Sequence, residues 1–457
     1  MKNLFTVFWG CIIFNVSAQS WEPLGKGMTM GSIQYPNTAA VTVYNGALYA
    51  GGYFDSAGGN LVNNIAMWNG NSWLPLGTGI TGSVGFINSL CVYNGQLIAA
   101  GSFTTAGGNT AYNIAAWNGT NWSALGSGIG NIQVNALMVY KGNLIAGGAF
   151  GNAGGNPVNN IAMWNGTSWS ALGSGTNNPY NGYGVCVLDT FSGELYAGGE
   201  FDSAGGKLAN GIAMWNGTSW SAIGSGVKRW GSFGDVYAIV AFNGELIVGG
   251  FFDTAGGIFA SDIAMWNGMS WSTLSSGIHN PPSDVSSLIN YGGTLIAGGS
   301  FDSAGNKYSK NIAQWNGTSW SSFGNGLSSA VGCFTIYNNN LIAGGLFDTA
   351  GGYRVNAITQ WCDTCKPLEV NQLEIRNYKL EVYPNPNNGN FTVLLKGISP
   401  KNQITIFNIL GEQVYQSSLN ATSNQIEMSC KADGLYLYRV ITETGELVGQ
   451  GKFVIQK

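Results

Sequence analysis

The chain has 457 residues, of which only 9% are charged, 12% are aromatic and 71 are glycine. Charge this low, combined with 45% apolar residues, argues against an intrinsically disordered chain. The formal net charge of −4 provides no basic surface, so we expect neither nucleic acid nor an anionic membrane as a partner.

Residues 1–18 have the layout of a secretory signal peptide. Lys2 precedes an apolar run that ends at Val16, and the small residue Ala18 precedes the expected cleavage point. The run is too short to span a bilayer, and no later stretch reaches that length, so no transmembrane segment is predicted. A lipoprotein anchor at Cys11 is the less favoured alternative.

The main part of the chain is a sevenfold repeat. The first tryptophan of each copy ends an Ile-Ala-x-Trp pattern or, at the last position, a looser version of it: Trp68, Trp117, Trp164, Trp215, Trp266, Trp315 and Trp361. A second tryptophan follows five residues later in every copy except the seventh. The missing second tryptophan of the seventh copy corresponds to Trp21 near the N-terminus, whose neighbours match those of Trp169. We therefore predict that the N-terminal strand completes the last unit, because an open ring would leave two exposed sheet edges.

Each unit contains four strand-like runs. In the third unit the predicted strands are Val134–Tyr140, Leu144–Phe150, Asn160–Trp164 and Trp169–Leu172. Asn-Gly pairs predict two-residue hairpins between them. The predicted fold is all-β: a seven-bladed β-propeller of four-stranded blades over residues 19–362, followed by a linker over residues 363–379. The length varies only between the second tryptophan and the next unit, so we expect these connections to lie on one face, together with the Phe-Asp-Ser-Ala-Gly-Gly loops.

The repeat resembles that of kelch-type propellers, which carry a glycine doublet (Gly147-Gly148), an aromatic residue and turn (Trp164), and a further tryptophan (Trp169). It is still more similar to the repeats of fungal cortical cell-polarity markers. The resemblance implies the architecture and leaves the function open, since one fold hosts many activities.

Residues 380–457 have a different composition and predict a small Ig-like β-sandwich, with alternating apolar residues at 403–407 and 435–440. This tail resembles the type A C-terminal sorting domain of the type IX secretion system. The matching segments are Tyr383-Pro384-Asn385-Pro386, Gly389, Gly411, Gly434-Leu435-Tyr436 and Lys452–Lys457. The resemblance implies recognition by the type IX machinery and export to the cell surface or release from it. An ordinary Ig-like domain is the alternative.

The cysteines indicate no metal site. Cys362 and Cys365 form the only Cys-x-x-Cys pair, which supplies half of a zinc site, so we predict a disulfide in this extracytoplasmic setting. Cys91, Cys186 and Cys333 fall in first strands and are expected to act as small core residues. No cofactor is predicted.

The residue inventory argues against the enzymes known on similar propellers, and no catalytic residue is predicted. A copper oxidase site of the galactose oxidase kind needs two histidines, and the chain has only His279. A sialidase site needs three arginines, whereas residues 20–362 contain only Arg229 and Arg354. A polysaccharide hydrolase or lyase that uses acidic residues in the channel remains open.

One loop position has two interpretations. Asp is followed by Ser or Thr and then Ala in five units, which resembles an O-glycosylation signal of bacteria with type IX secretion. The hydroxyl residues are Ser56, Ser203, Thr254, Ser303 and Thr349. The alternative is that Asp and Ser or Thr simply form a turn.

Residues that break the repeat are the predicted ligand-binding candidates, because the ring itself is symmetric. They lie in the variable connections: Tyr35, Tyr180, Tyr183, Lys228, Arg229, Trp230 and His279. Trp230 either binds a ligand or fills a gap against the ring. The leading hypothesis is a surface or secreted module that binds a glycan or protein, in adhesion or nutrient capture. A structural surface component without a small ligand is the third hypothesis.

Overall fold

The computed structural model describes residues 19–31, 35–82, 85–130, 132–179, 182–279, 283–362, 379–396, 401–410, 412–442 and 447–457. The predicted signal peptide, most of the linker, Tyr180, Cys365 and Gly411 lie outside these ranges. The described residues form strands and turns and contain no helix that could cross a membrane. The chain divides into two compact units, Met1–Cys365 and Lys366–Lys457.

The first unit contains, within its described residues, seven four-stranded antiparallel sheets that form the blades, which we number 1 to 7, and an eighth four-stranded sheet of short strands that includes Val227–Arg229 and Ser232–Phe233. The first strands are Asn37–Tyr44, Phe86–Tyr93, Gln133–Tyr140, Val185–Phe191, Asp235–Phe242, Asp284–Tyr291 and Val331–Tyr337. The second strands are Ala47–Tyr53, Gln96–Ser102, Asn143–Ala149, Glu194–Gly199, Glu245–Phe251, Thr294–Ser300 and Asn340–Gly345. The third strands are Ile65–Trp68, Ile114–Trp117, Ile161–Trp164, Ile212–Trp215, Ile263–Trp266, Ile312–Trp315 and Ile358–Cys362. The fourth strands are Trp73–Pro75, Trp122–Ala124, Trp169–Ala171, Trp220–Ala222, Trp271–Thr273, Trp320–Ser322 and, for blade 7, Ser20–Pro23.

The blades form a closed ring. Each first strand contacts the first strand of the next blade, and that of blade 7 contacts that of blade 1. The first strands therefore surround a central channel, and the all-β propeller class predicted from the sequence is confirmed.

The paired tryptophans hold neighbouring blades together. In blades 1 to 6 the second tryptophan is buried and its indole N–H donates to a backbone carbonyl of the preceding blade, for example Trp220 Nε1 to Leu172 O at 2.9 Å. Within each of these pairs the ring centroids lie 5.3 Å apart, as for Trp215 and Trp220. These rings are therefore core residues and not exposed stacking platforms.

The glycine doublet at the end of the second strand, which every blade except blade 2 carries, has two separate roles. A Cβ on the first glycine would meet the neighbouring blade, as at Gly249, where it would lie 2.5 Å from Val285. A Cβ on the second would strike the backbone of its own first strand, as at Gly250, 2.0 Å from Asp235 O. The second glycine lies beside a β-bulge in the first strand, where one residue has no partner in the register.

The two kinds of Asn-Gly turn differ from each other. Asn45 and Gly46, between a first and a second strand, both have positive φ and form the predicted hairpin. Between third and fourth strands the prediction was wrong, because only the glycine has positive φ. There Asn165 Oδ1 instead accepts the N–H groups of Thr167 and Ser168, each at 2.9 Å, which makes a side-chain-capped turn.

The second unit contains two sheets with a shared apolar core. Its strands are Lys379–Tyr383, Asn390–Lys396 and Ser423–Glu427 in one sheet, and Asn402–Phe407, Gln413–Leu419, Gly434–Thr442 and Leu447–Ile455 in the other. Phe391 from the first sheet packs against Phe453 from the second, with ring centroids 4.5 Å apart. Buried residues of both sheets belong to one cluster, so this unit is a small β-sandwich.

Candidate ligand site at the mouth of the propeller channel

The variable connections and the Asp-containing loops lie on the same face of the ring, as the spacing predicts. Two-residue strands in the connections (Met28–Thr29, Ile80–Thr81, Ile129–Gly130 and Ile278–His279) or the longer Val227–Arg229 pair with the loops of the following blade. The loop strands are Ser56–Ala57, Thr105–Ala106, Asn152–Ala153, Ser203–Ala204, Thr254–Ala255, Ser303–Ala304 and Thr349–Ala350, each joined to an outer strand: Asn60–Leu61, Asn109–Thr110, Asn156–Pro157, Lys207–Leu208, Ile258–Phe259, Lys307–Tyr308 and Tyr353–Arg354. The channel mouth opens on this face, because the first strands begin there.

The loop aspartates bind these connections. Asp55 Oδ2 accepts the N–H of Gly31 at 2.8 Å, and Asp348 Oδ1 accepts the hydroxyl of Ser328 at 2.7 Å. The hydroxyl residues that follow them, including Ser56 and Thr349, are half-buried in the short loop strands. The aspartates thus have a structural role, and O-glycosylation of Ser56, Ser203, Thr254, Ser303 and Thr349 stays a prediction.

The unpaired bulge residue of every first strand lines the channel. These seven residues, which we call the bulge ring, are Ala39, Asn88, Asn135, Cys186, Tyr237, Ser286 and Gly332. All of them border one of two cavities, of about 570 Å³ at the mouth and about 280 Å³ further along the first strands. The ring is therefore the part of the fold in which blades of nearly equal structure present different side chains to one space.

The mouth cavity is lined by amides and tyrosines. Its lining is Tyr35, Asn37, Ala39, Gly52, Tyr53, Phe86, Ile87, Asn88, Gln133, Asn135, Tyr183, Cys186, Tyr237 and Leu346. No Asp, Glu, Lys, Arg or His occurs among these residues. A volume of this size is typical of small-molecule sites, and the lining combines apolar surface with hydrogen-bonding groups.

A chain of amide hydrogen bonds holds one side of the mouth in place. Asn88 Nδ2 donates to Asn135 Oδ1 at 3.0 Å, and Asn135 Nδ2 donates to the carbonyl oxygen of Tyr183 at 2.7 Å. These bonds link blades 2, 3 and 4 and fix the orientation of both amides. By contrast, within the described residues the side chains of Asn37 and Gln133 make no hydrogen bond, so their amides remain available to a ligand.

Two carboxylates lie behind the mouth, on blades 4 and 5. Tyr237 donates its hydroxyl to Asp235 Oδ2 at 3.2 Å, and Glu200 Oε2 accepts the N–H of Tyr183 at 3.0 Å. Burial, together with the charge of Glu200, raises the pKa of Asp235 to about 6. Burial and the same carboxylate hold the pKa of the Cys186 thiol well above its ordinary value, so this cysteine is an unreactive thiol. The surroundings of the mouth therefore disfavour an anionic ligand.

An exposed hairpin stands beside the mouth on blade 5. Arg229 pairs with Ser232, so Trp230 and Gly231 form a two-residue turn with φ values of 48° and 83°. The Trp230 side chain is 82% exposed, and therefore it does not fill a gap against the ring. The Arg229 guanidinium lies 4.4 Å from the centroid of the Trp230 ring and also contacts Phe251.

The predicted ligand residues divide into three groups. Tyr35 and Tyr183 line the mouth, with 83% and 58% of their surfaces exposed. Arg229 and Trp230 belong to the hairpin, whereas Lys228 and His279 pair with loop strands and border neither cavity. Tyr180 lies outside the described residues.

The sequence interpretation missed the bulge ring because it sought departures from the repeat only in loops. The signal is nevertheless present, since each bulge residue lies five positions before the aromatic residue that ends the first strand, as Asn88 does before Tyr93. Six residue types occupy these seven positions, while the position before them is Val or Ile in six of the seven first strands.

The predicted cysteine roles are partly described. Cys362 is disulfide-bonded, and its predicted partner Cys365 lies outside the described residues. Cys333 is buried and its thiol donates to Thr38 O at 3.3 Å; Cys91 and Cys186 are free and partly buried. Among the described residues no group of three or more His, Cys, Asp or Glu side chains could hold a metal ion.

The C-terminal unit matches a known family. Residues 381–456 match the secretion system C-terminal sorting domain, which confirms the predicted type IX sorting domain. The protein is therefore exported to the outer cell surface or secreted. No curated protein sequence matches the chain significantly.

Solved structures align with most of this chain at low sequence identity. PorZ, an essential surface component of the type IX secretion system of Porphyromonas gingivalis, aligns with a TM-score of 0.47 and 16% identity over 94% of this chain and 60% of its own. The extracellular domain of a putative hybrid two-component system from B. thetaiotaomicron aligns with a TM-score of 0.48 and 10% identity over 95% of this chain and 57% of its own. A copper-bound fungal alcohol oxidase of the AA5 family aligns with a TM-score of 0.39 and 10% identity over 96% of this chain and 100% of its own. The chain thus spans about 60% of the length of the first of these structures.

Proposed function

We propose that the protein is a non-enzymatic binding module of the outer cell surface, whose channel mouth binds a neutral glycan for capture or adhesion. The observation that carries the proposal is the mouth lining, which combines four side-chain amides with four tyrosines and has no charged residue. Amides donate and accept hydrogen bonds at once, as sugar hydroxyl groups do, and tyrosine rings offer apolar faces to pyranose rings.

The electrostatics support a neutral ligand over an anionic one. Asp235 and Glu200 lie behind the mouth, and among the described residues the cation close to them is Arg229, whose Nη1 lies 3.9 Å from Asp262 Oδ1. A uronic acid or sialic acid in the mouth would face these carboxylates without a cationic partner.

Catalysis by channel carboxylates has less support. The lining of neither cavity contains a carboxylate within the described residues, so a pair of acidic groups facing the same bound sugar is lacking. The tail, residues 380–457, is proposed to bind the type IX machinery during export.

The test uses the purified secreted protein on a glycan array, followed by calorimetry with the glycans that it retains. Asn37→Ala and Gln133→Ala should each weaken binding, by about tenfold in the double variant, since they remove unengaged amides from the mouth. Asn71→Ala, on a turn of the opposite face, is the matched control and should bind as the wild type does. Retention of no glycan, preference for anionic glycans, or equal binding by all variants would contradict the proposal.

A further inference from the structure

The hairpin at Trp230 departs from what its turn requires. A two-residue turn with both residues at positive φ favours Asn-Gly, because a large side chain is strained in the left-handed region. Here the first position holds a tryptophan at φ 48° that is 82% exposed. Every other tryptophan in the described residues is buried. Backbone strain combined with an exposed apolar ring points to a functional role for this side chain.

The ring is also held in a fixed position. The backbone N–H of Trp230 donates to Asp253 Oδ2 at 2.8 Å, and the Arg229 guanidinium contacts the indole. The rings of Phe251 and Trp230 lie in a T-shaped arrangement, with centroids 6.4 Å apart and planes at 76°. The side chain of Arg229 is only 15% exposed, so it lies beneath the indole ring and supports it from the protein side. A ring that is preorganised in this way loses little entropy on binding.

The hairpin is continuous with the channel mouth. Phe251 pairs directly with Asp235, and Asp235 accepts the hydroxyl of Tyr237, which lines the mouth. A ligand that emerges from the mouth over blade 5 therefore reaches the Trp230 ring next.

We infer that the ligand is an oligosaccharide longer than the mouth, and that a sugar outside the channel stacks on Trp230. This inference rests on the proposed function and adds a second, separate subsite to it. Affinity should then rise with chain length, and Trp230 should contribute only to the longer ligands.

The experiment compares neutral cello-, xylo- and manno-oligosaccharides from disaccharide to hexasaccharide against the full secreted protein. Trp230→Asn is the informative variant, because it removes the ring and creates the Asn-Gly sequence that the turn favours. It should be at least as stable as the wild type, bind the disaccharide equally well and bind the hexasaccharide about tenfold more weakly. Asn37→Ala should weaken the binding of both the disaccharide and the hexasaccharide.

Quenching of tryptophan fluorescence by iodide gives an independent readout, since Trp230 is the one exposed tryptophan among the described residues. The hexasaccharide should protect the fluorescence of the wild type, and the disaccharide should not. If Asn37→Ala weakens binding while Trp230→Asn leaves hexasaccharide affinity unchanged, the proposal of an outer subsite is wrong, whereas the proposed ligand site at the mouth is retained. Equal loss for both ligands in Trp230→Asn also overturns the subsite, and absence of any binding by the wild type overturns both proposals.

Discussion

Trp21 lies directly opposite Trp361 in the register of the sheet that completes blade 7, although 340 positions separate them in the chain. Their ring centroids are 5.2 Å apart and both rings also contact Phe323. The N-terminal strand therefore closes the ring by pairing with the last third strand. In one respect this pair differs from the others, since Trp21 Nε1 is buried without a hydrogen-bond partner in the described structure.

The missing hydrogen bond at Trp21 predicts that replacing Trp21 by Phe lowers the free energy of unfolding less than the same substitution at Trp220. Trp220→Phe removes the indole bond to Leu172 O as well as ring area, whereas Trp21→Phe removes area and an unsatisfied N–H. We expect Trp220→Phe to cost about 1–3 kcal/mol more in free energy of unfolding than Trp21→Phe. Urea denaturation followed by tryptophan fluorescence measures both, because every tryptophan lies at or before Trp361. Equal losses would contradict the hydrogen-bond argument.

The glycine doublet predicts a strong position dependence of alanine substitution. Gly250→Ala places a Cβ 2.0 Å from Asp235 O and should destabilise the propeller by roughly 3 kcal/mol or more, since the bulge that positions Tyr237 must shift. Gly257→Ala is the control: its Cβ would meet nothing within 4 Å, so only the backbone strain at its φ of 86° remains, which costs about 1–2 kcal/mol. The melting temperature of Gly250→Ala should be well below that of Gly257→Ala. The reverse order would refute the role assigned to the second glycine of the doublet.

Asp262 predicts a pH dependence of stability. In four other blades an asparagine holds this position, for example Asn113, which accepts from Phe103 N–H and donates to Ile129 O. Asp262 is 3% exposed, and its burial raises its pKa to about 7 despite a bond from Ser283. The folded state thus binds a proton more tightly than the unfolded state, so stability present below about pH 4 declines as the pH rises to about 7.

Asp262→Asn should remove this part of the pH dependence. The variant should be more stable than the wild type at pH 8, on the order of 2 kcal/mol, and nearly equal to it at pH 4. Urea midpoints measured at both pH values test this. An unchanged pH profile in the variant would show that the carboxyl is not responsible.

The sorting domain predicts where a truncated protein accumulates. Removal of residues 380–457 should leave the propeller folded, because the two units have separate cores, and should retain it in the periplasm. Fractionation of the native host with antibodies to the propeller measures the distribution. The full-length chain is the control, and surface exposure of the truncated protein would contradict export through the tail.

Regular spacing made the architecture predictable from sequence. The third blade has strands Gln133–Tyr140, Asn143–Ala149, Ile161–Trp164 and Trp169–Ala171, each within one residue of its prediction at either end. The Asn-Gly turn after Trp164 was less predictable, since the local sequence does not reveal that Asn165 caps the turn with its side chain.

The sequence by itself determined the blade pattern, the closing partner of Trp361 and the sorting tail, because these depend on apolar periodicity and on local motifs. Only the tertiary structure decided which side chains share the channel. A β-bulge turns one residue of each first strand out of the blade packing, and residues as distant in the chain as Asn37 and Tyr237 come together at one cavity only when the ring closes. Spacing along the chain cannot reveal such a meeting, because it arises from rotation about the ring axis and not from local sequence.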